Sequence, residues 1–447
     1  MTQSAIEPWF KAHNEVTQIL VGVFDYNGVL RGKRMPIAKL PSLLKDGFLM
    51  PLSIIQTDIW GRDIDDSPLL FETGDGDGRV MLSDRTPLML SWLAEPTALL
   101  IGHFVNRDGT SHPVCPRGAL MKAVSQLDKT HSRLCTGIEM EFHLLSDDIS
   151  APAPSLATGT TPVAGDTLST HQLDDYDGLF AEISHLCQAQ ELAIDTLTSE
   201  LGRGQFEITF APKHDLVTVA EDILVFKYLV KSLAKSFGVR ASFMAKPLTG
   251  DAGNGMHVHA SLLNEAGQNL FHDEQDKEHR LLHQCLAGIL ANMRASTLIL
   301  APHMNSYRRL VPSSHAPTKI CWGDDNRTAS IRIPASSAQA RRLEYRSAGA
   351  DGNPYLLLAV LASSIAHGIA EEMSPPPPVK GNAYEQDFDD LPSEMGEAMR
   401  LFAASEEMKQ ALGETLHAYY LATKRQEWAR MADYVSDFEY HSLSQNI

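Results

Sequence analysis

No run of about eighteen apolar residues occurs in the chain, so the sequence offers no candidate for a membrane-spanning helix. The opening residues, MTQSAIEPWFKAHNEV, lack a basic stretch followed by an apolar one, and no secretory leader is expected. Cysteine is scarce. The five, at 115, 135, 187, 285 and 321, are odd in number, scattered, and form no C-x-x-C pair. That distribution predicts reduced thiols and a cytoplasmic protein, not a disulfide framework. Positive charge is also short: 38 Lys and Arg stand against 56 Asp and Glu, a formal net charge of −18. Such a balance argues against nucleic acid or an anionic membrane as the main partner, and most of it keeps the surface solvated. No G-x-x-x-x-G-K-[ST] loop and no kinase motif set is present, so a nucleotide would need another kind of site. Internal repeats are absent as well.

What the chain does have is ample material for a core: 447 residues, 43% of them apolar. Its length suits two or three domains, or one large domain with a small companion. Residues 17–33 read as a hairpin, with alternating apolar residues and Tyr26-Asn27-Gly28 at the turn. A short helix is expected at 37–46, and a strand-rich, irregular stretch at 50–106 with a turn at GDGDG (74–78). Residues 1–110 therefore read as a small α+β domain, and 111–447 as a larger one. In the latter, helical patterns cover 116–130, 177–191, 218–237 and 279–298. Strand candidates lie at 136–145, 205–210, 241–247, 255–263, 329–334 and 341–346. Without a regular βαβ rhythm, the expected fold is α+β, a mixed and mainly antiparallel sheet backed by helices. The Ala-, Pro-, Thr- and Ser-rich loop at 149–170 reads as a mobile surface insertion. SPPPP (374–378) reads as a stiff connector to a C-terminal helical region.

Several residues stand out chemically. Glu139 and Glu141, two apart in an apolar strand, share one face, either a solvent-facing edge or a pair that needs partners. Glu200 and Glu207 flank a Gly-rich turn that can bring them together or be an ordinary surface turn. His257 and His259 share a strand face, as core imidazoles or as ligands. Glu344 lies between Arg342 and Arg346, in an ion-pair ladder or as a ligand beside phosphate-binding guanidiniums. Arg308, Arg309, Arg327 and Arg332 form a second basic group in an acidic chain and want an anion. Hard divalent cations prefer such carboxylates with an occasional imidazole. The residues alone lead to a two-metal phosphoryl-transfer enzyme.

The order of motifs then becomes recognisable. G-I-E-M-E-F, E-L-G-R-G-Q-F-E, K-P-x₇-G-M-H-V-H-A-S-L, N-S-Y-R-R-L, N-R-T-A-S-I-R-I-P and R-x-E-Y-R-x₆-N-P-Y-L resemble class I-type glutamine synthetases over about residues 15–445. V-L-R-G-K-R-M-P, M-P-L-S-I-I-Q-T-D-I-W-G, F-M-A-K-P and A-G-A-D-G-N-P-Y look most like γ-glutamylputrescine synthetases and related γ-glutamylamine ligases. The resemblance implies an N-terminal β-grasp domain and a glutamine synthetase catalytic domain, using ATP and two or more Mg²⁺ or Mn²⁺ ions. It implies one metal on Glu141, Glu200 and Glu207 and another on Glu139, His257 and Glu344. Arg309 and Arg327 would bind glutamate and its phosphoryl group, assisted by Arg332 and Arg346. Gly253 would offer backbone to glutamate, and His259, Ser261 and Arg342 would lie along the nucleotide, with Arg332 near it. A dodecamer of two hexameric rings with shared active sites is implied, with glutamate and an amine as substrates.

The chain also departs from the family pattern. Ammonia-using members carry F-D-G-S-S where this chain has Met50 to Ile54, without the Asp, and a flap Glu where this chain has His315. Ala252 replaces a usual Asn, and Arg203 a usual Pro, the latter read as minor. The expected activity is therefore ligation of the glutamate γ-carboxylate to a bulkier amine, a polyamine such as putrescine or a monoamine. An ordinary glutamine synthetase and a catalytically inactive structural member are the alternatives. His315 reads equally as the base that takes the amine's proton, being largely neutral at pH 7 if unperturbed, and as a passive gate. Asp58, Asp63, Asp65 and Asp66 read as a solvated acidic loop in preference to a seat for a second ammonium.

Overall fold

The computed structural model describes residues 5–272 and 279–447, and the fold is of the α+β class with two mixed sheets. Strands between residues 18 and 105 form the first, six-stranded sheet. The expected hairpin is there: Gln18–Phe24 pairs antiparallel with Leu30–Pro36. Its turn is built by Asp25, fully buried, whose carboxylate accepts from the amides of Asn27 and Val29 (both 2.9 Å) and from Arg31 Nε at 2.8 Å. Gly28 supplies the φ of +71° that closes it. Gln18–Phe24 also pairs with Thr97–Val105, in parallel, so this strand sits inside the sheet. The short helix expected at 37–46 appears as a 3₁₀ turn at Ile37–Lys39 running into Leu40–Asp46.

Eight strands form the second sheet, with Arg133–Ser146 at its heart. That long strand is flanked by Met256–Leu263 on one side and Gln205–Lys213 on the other, both antiparallel. Beyond Met256–Leu263 come the three-residue strands Leu343–Tyr345, Ile331–Ile333 and Trp322–Asp324; beyond Gln205–Lys213 comes Ile194–Ser199. Val239–Ser242 also pairs with the central strand. The strands expected at 241–247, 329–334 and 341–346 are thus shorter than their apolar patterns.

Helices Pro116–Asp128, Asp177–Ala189, Leu216–Ser236 and Arg280–Leu300 occupy the four expected segments. Pro354–Ala370 was not expected. It is buried almost all round, so its sequence carries no polar stripe and no helical period. It crosses Arg280–Leu300 where Gly288 meets Gly368: a Cβ on Gly288 would lie 2.1 Å from the Ser364 carbonyl, and one on Gly368 2.1 Å from that of Gln284. Its cap, Asn353, accepts from the Tyr355 amide and donates Nδ2 to the carbonyls of Asp25 and Tyr26. This helix is thereby joined to the hairpin of the first sheet.

Two expectations about loops are corrected. The 149–170 segment is tied down at both ends: Pro152 bridges to Leu145, Tyr176 donates its hydroxyl to the Ala153 carbonyl at 2.7 Å, and Ser199 Oγ donates to the carbonyls of Asp166 and Ser169. SPPPP is no free-standing spacer, because Trp322 Nε1 donates to the Pro376 carbonyl at 2.7 Å and Val379 N to the Trp322 carbonyl at 2.8 Å. Past it lie the helices Met395–Ala404, Glu406–Leu412, Glu414–Asp433 and Asp437–Leu443.

Helix Glu414–Asp433 closes the seam with the first sheet. Glu427 accepts from Asn27 Nδ2 and the Ile59 amide, both at 2.8 Å, and from Lys424 Nζ at 2.9 Å. Lys424 is fully buried and also donates to Asn27 Oδ1. Burial alone would raise the Glu427 carboxyl, but the Lys424 charge and the His303 hydrogen bond outweigh it and hold it down to about 2. Because the folded value is depressed below 4.5, this contribution is fully present above pH 4.5 and lost as pH falls toward 2. Glu427→Ala, which strands the buried ammonium, is expected to cost about 3–5 kcal/mol at pH 7. The cost shrinks at pH 3, as comparison of thermal melting at the two pH values reads directly.

Candidate active site

The pairing register of the second sheet assembles one acidic face. Glu139 lies opposite His257, Glu141 opposite Glu207, and Glu344 opposite His259. Since side chains alternate along a strand, these six belong to a single surface. Glu139 accepts from both imidazoles: His257 Nδ1 is 3.0 Å from Oε2 and His259 Nε2 is 2.7 Å from Oε1. Arg342 Nε donates to His259 Nδ1 at 3.0 Å. A guanidinium has no acceptor, so the His259 proton sits on Nε2, facing Glu139. Glu344, buried, takes Arg346 on one oxygen and Arg332 Nη1 on the other at 2.9 Å.

Ligand atoms of Glu139, His257 and Glu344 lie within 4.8 Å of one another, and so do those of Glu141, Glu207 and His257. Glu200 lines the same cavity without joining either of these groups. Burial, then the charge of Glu141, pushes the Glu200 carboxyl up to about 7; burial, then Glu139 and Glu141, pushes Glu207 up to about 9. Glu139 goes the other way. Burial would raise it, but hydrogen bonds from His257 and His259 hold it well below the usual range. The face therefore carries more negative charge than its own cations offset. Carboxylate oxygen with imidazole is the donor chemistry that hard divalent ions take, and the residues present fit such ions.

Two cavities meet at Glu139. One, about 440 Å³, is lined by Glu139, Glu141, Glu200, Glu207, His257, Gly253, Arg309, Arg327, Arg346 and His315. The other, about 1120 Å³, holds His259, Ser261 and Arg342. Arg309 is buried and donates to the carbonyls of Ser347 and Arg346 at 3.1 and 3.3 Å, which aims its guanidinium. It lies so near the 253–255 loop that a Cβ on Gly255 would sit 2.7 Å from its Nη2. Arg327 and His315 are exposed at the rim, and His315 holds a left-handed backbone, φ +65°.

Arg332 is held by Asp325 (2.6 and 3.0 Å) and by Glu344 of the acidic face, and it lines a recess between residues 324–332 and 378–381 to which Arg327 also belongs. Asp58 corrects one expectation. It is fully buried and accepts from the amides of Trp60 and Arg62 and from Gln426 Nε2, while Asp63, Asp65 and Asp66 are exposed. Arg203 is more than a minor departure: its Nε donates to Asp251 at 2.7 Å, and Asp251 also accepts from the Ala252 amide, tying the 202–204 turn to the loop of Gly253.

Sequence reasoning missed Gln205, Asn254 and His143. Buried Gln205 donates Nε2 to the Gly253 carbonyl (2.9 Å), Glu141 and Asn254 (both 3.3 Å). Asn254, fully buried, holds His143 Nδ1 at 2.8 Å and donates to the Met244 carbonyl. For His143 and Gln205 the available signal was an imidazole or amide in an otherwise apolar strand, since a buried polar group needs partners; Asn254 lies in the loop before Met256–Leu263 and carries no such signal.

Comparison with known proteins follows the same lines. Residues 113–443 match the family model described as glutamine synthetase, catalytic domain. Gamma-glutamylputrescine synthetase PuuA of Escherichia coli (strain K12) is 33% identical over 431 residues, covering 94% of this chain and 90% of that one. A glutamine synthetase of Pyrococcus abyssi is 32% identical over 420 residues, covering 92% and 90%. A solved GmaS/ADP complex superposes with a TM-score of 0.86 at 26% identity, over 98% of this chain and 99% of that one.

Glu207→Gln gives a crossed signature. The raised folded value means that ionised Glu207 opposes folding increasingly as pH climbs from 4.5 toward 9. Without metal at pH 8, the variant is expected to melt higher than the parent. With Mn²⁺ at a hundred times the parent's Kd, the parent gains about 2.7 kcal/mol and the variant less. Melting curves with and without Mn²⁺ measure both; a variant that melts lower without metal contradicts the crowding argument.

Proposed function

The chain belongs to the glutamine synthetase family and is a ligase that forms a C–N bond, and from that premise we propose that it joins the γ-carboxylate of glutamate to an amine other than ammonia. The observation that carries the reading is the junction at Glu139, where a cavity with aimed arginines and a larger, separate cavity share one carboxylate. The smaller suits glutamate and the larger ATP. The family uses ATP and divalent metals. Here Mg²⁺ or Mn²⁺ on Glu141, Glu200 and Glu207 and on Glu139, His257 and Glu344 would neutralise charge on the transferred phosphoryl group.

Within this reading, Arg309 binds glutamate with Arg346, and the Gly253 backbone, oriented by Gln205, completes its seat. The γ-carboxylate oxygen attacks the terminal phosphorus of ATP, and ADP leaves with the bridging oxygen. Arg327, free at the rim, offsets the charge of the moving phosphoryl group. The larger cavity seats ATP along His259, Ser261 and Arg342. The amine lone pair then attacks the acyl carbon of γ-glutamyl phosphate, phosphate leaves with the C–O electrons, and His315 takes the nitrogen's proton. Support for an amine comes from His315 in place of a flap Glu, from Met50–Ile54 without its Asp, and from the likeness to a γ-glutamylputrescine synthetase and to GmaS.

The same reading takes residues 1–110 as a β-grasp unit and 111–447 as the catalytic unit, in a cytoplasmic dodecamer of two hexameric rings whose active sites are shared. Separate sheets over 18–105 and 133–345 support the division. Glutamine synthetases among the relatives favour ammonia as a second reading.

Phosphate release with glutamate, ATP and metal, measured over a panel of ammonium, monoamines and diamines, tests the proposal. Some amine should exceed ammonium in kcat/KM by about tenfold or more, and a preference for ammonium overturns it. His315→Ala is expected to lower amine turnover by about 10²-fold or more. Unchanged turnover across pH removes the base role.

A further inference from the structure

His143 continues the acidic face by one more pair. It follows Glu139 and Glu141 at the same alternation and lies opposite Gln205, as Glu141 lies opposite Glu207. It is fully buried, and its ring meets Asn254. The proton on that ring can be placed. Asn254 donates Nδ2 to the carbonyls of Ser242 and Met244 at 3.3 and 2.9 Å, and a carbonyl can only accept, so Asn254 turns Oδ1 toward His143. His143 Nδ1, 2.8 Å from that oxygen, therefore carries the hydrogen. This leaves Nε2 buried with no partner among the described residues, close against Gly202, where a Cβ would lie 2.7 Å from it. A bare buried acceptor makes imidazole a costly side chain for this position unless the bond made by Nδ1 matters.

Gln205 shows what that bond controls. The Gly202 amide donates to its Oε1 at 2.8 Å, which fixes the orientation of the side-chain amide. Nε2 then faces three acceptors: the Gly253 carbonyl at 2.9 Å, and Glu141 Oε2 and Asn254 Oδ1 at 3.3 Å each. It has two hydrogens for these three oxygens. While His143 supplies Asn254 Oδ1, Gln205 can serve Gly253 and Glu141. Without that donor a fully buried oxygen would have only Gln205 to turn to, and leaving such an oxygen bare costs more than lengthening a bond at the cavity wall. We infer that His143 is a positioning residue for the glutamate seat: by satisfying Asn254 it keeps the Gln205 amide on the Gly253 carbonyl. This role rests on the reading above that the smaller cavity takes glutamate, and it holds whichever amine is used. His143, Gln205 and Asn254 are all buried within the chain itself.

The test pairs two substitutions that exchange shape and hydrogen bonding. His143→Phe keeps a ring and loses the donor. His143→Asn loses the ring but puts an amide hydrogen near the place of Nδ1. Glutamate binding is measured by isothermal titration calorimetry with Mn²⁺ and ADP present, and ADP binding with Mn²⁺ alone serves as the control. His143→Phe is expected to raise the Kd for glutamate about two- to tenfold, the worth of one net hydrogen bond, and to leave the Kd for ADP within about twofold. His143→Asn should stay within about twofold of the parent for both ligands. A packing role alone gives the opposite order, since Asn opens a cavity and Phe fills it. His143→Leu, which also lacks a donor, should follow Phe and guards against a folding defect in either variant, and melting curves check all three. A glutamate Kd unchanged in the Phe and Leu variants, an Asn variant as weak as Phe, or an equal loss of ADP binding overturns the inference. A parent that binds no glutamate under these conditions overturns the underlying reading of the cavity instead, and does so before any variant is made.

Discussion

Crowded negative charge on one face of a sheet is the constraint around which the rest of the molecule is arranged. Strands Arg133–Ser146, Gln205–Lys213 and, across Met256–Leu263, Leu343–Tyr345 bring Glu139, Glu141, Glu207 and Glu344 together, and no fold would hold four carboxylates there without offsetting partners. The chain answers the problem unevenly. Glu139 and Glu344 are satisfied by imidazole and guanidinium and stay ionised, whereas Glu200 and Glu207 are left to take up protons or divalent cations. This division separates carboxylates already held by partners within the chain from carboxylates that crowd one another.

Around that face, orientation is delivered by backbone. Arg309 is aimed by two carbonyls, Gly253 by the amide of Gln205, and the loop before it by the Arg203–Asp251 pair. The glycines at 253 and 255 are required by close approach, because any side chain would meet Ala245 or Arg309. Groups held through main-chain atoms cannot drift as surface side chains do, and this is the preorganisation that phosphoryl transfer depends on.

Much of this was readable in advance, and the limits have physical causes. A period of two announced Arg133–Ser146 and Met256–Leu263, and placed Glu139 with Glu141 and His257 with His259. Which strand lies beside which depends on long-range pairing, so the contacts Glu139–His257 and Glu141–Glu207 could be anticipated only from resemblance to a family. Helix Pro354–Ala370 escaped notice because burial on all sides erases the amphipathic signal. The Gln205–Asn254–His143 network has no spacing rule, and neither has the hold of Asp325 and Glu344 on Arg332. The loop at 149–170 looked loose by composition, yet a single buried hydroxyl, Ser199, anchors its far end.

The seam between Asn27 and Glu427 joins residues 400 positions apart. On a ribosome adding about 5–20 residues per second, roughly 20–80 s separate the emergence of one partner from that of the other. Throughout that interval the first-made sheet must wait with Asn27 and the Ile59 amide lacking their final acceptor. A chain truncated during synthesis between Arg346 and that last long helix would therefore carry these site residues without the latch that Glu427 provides.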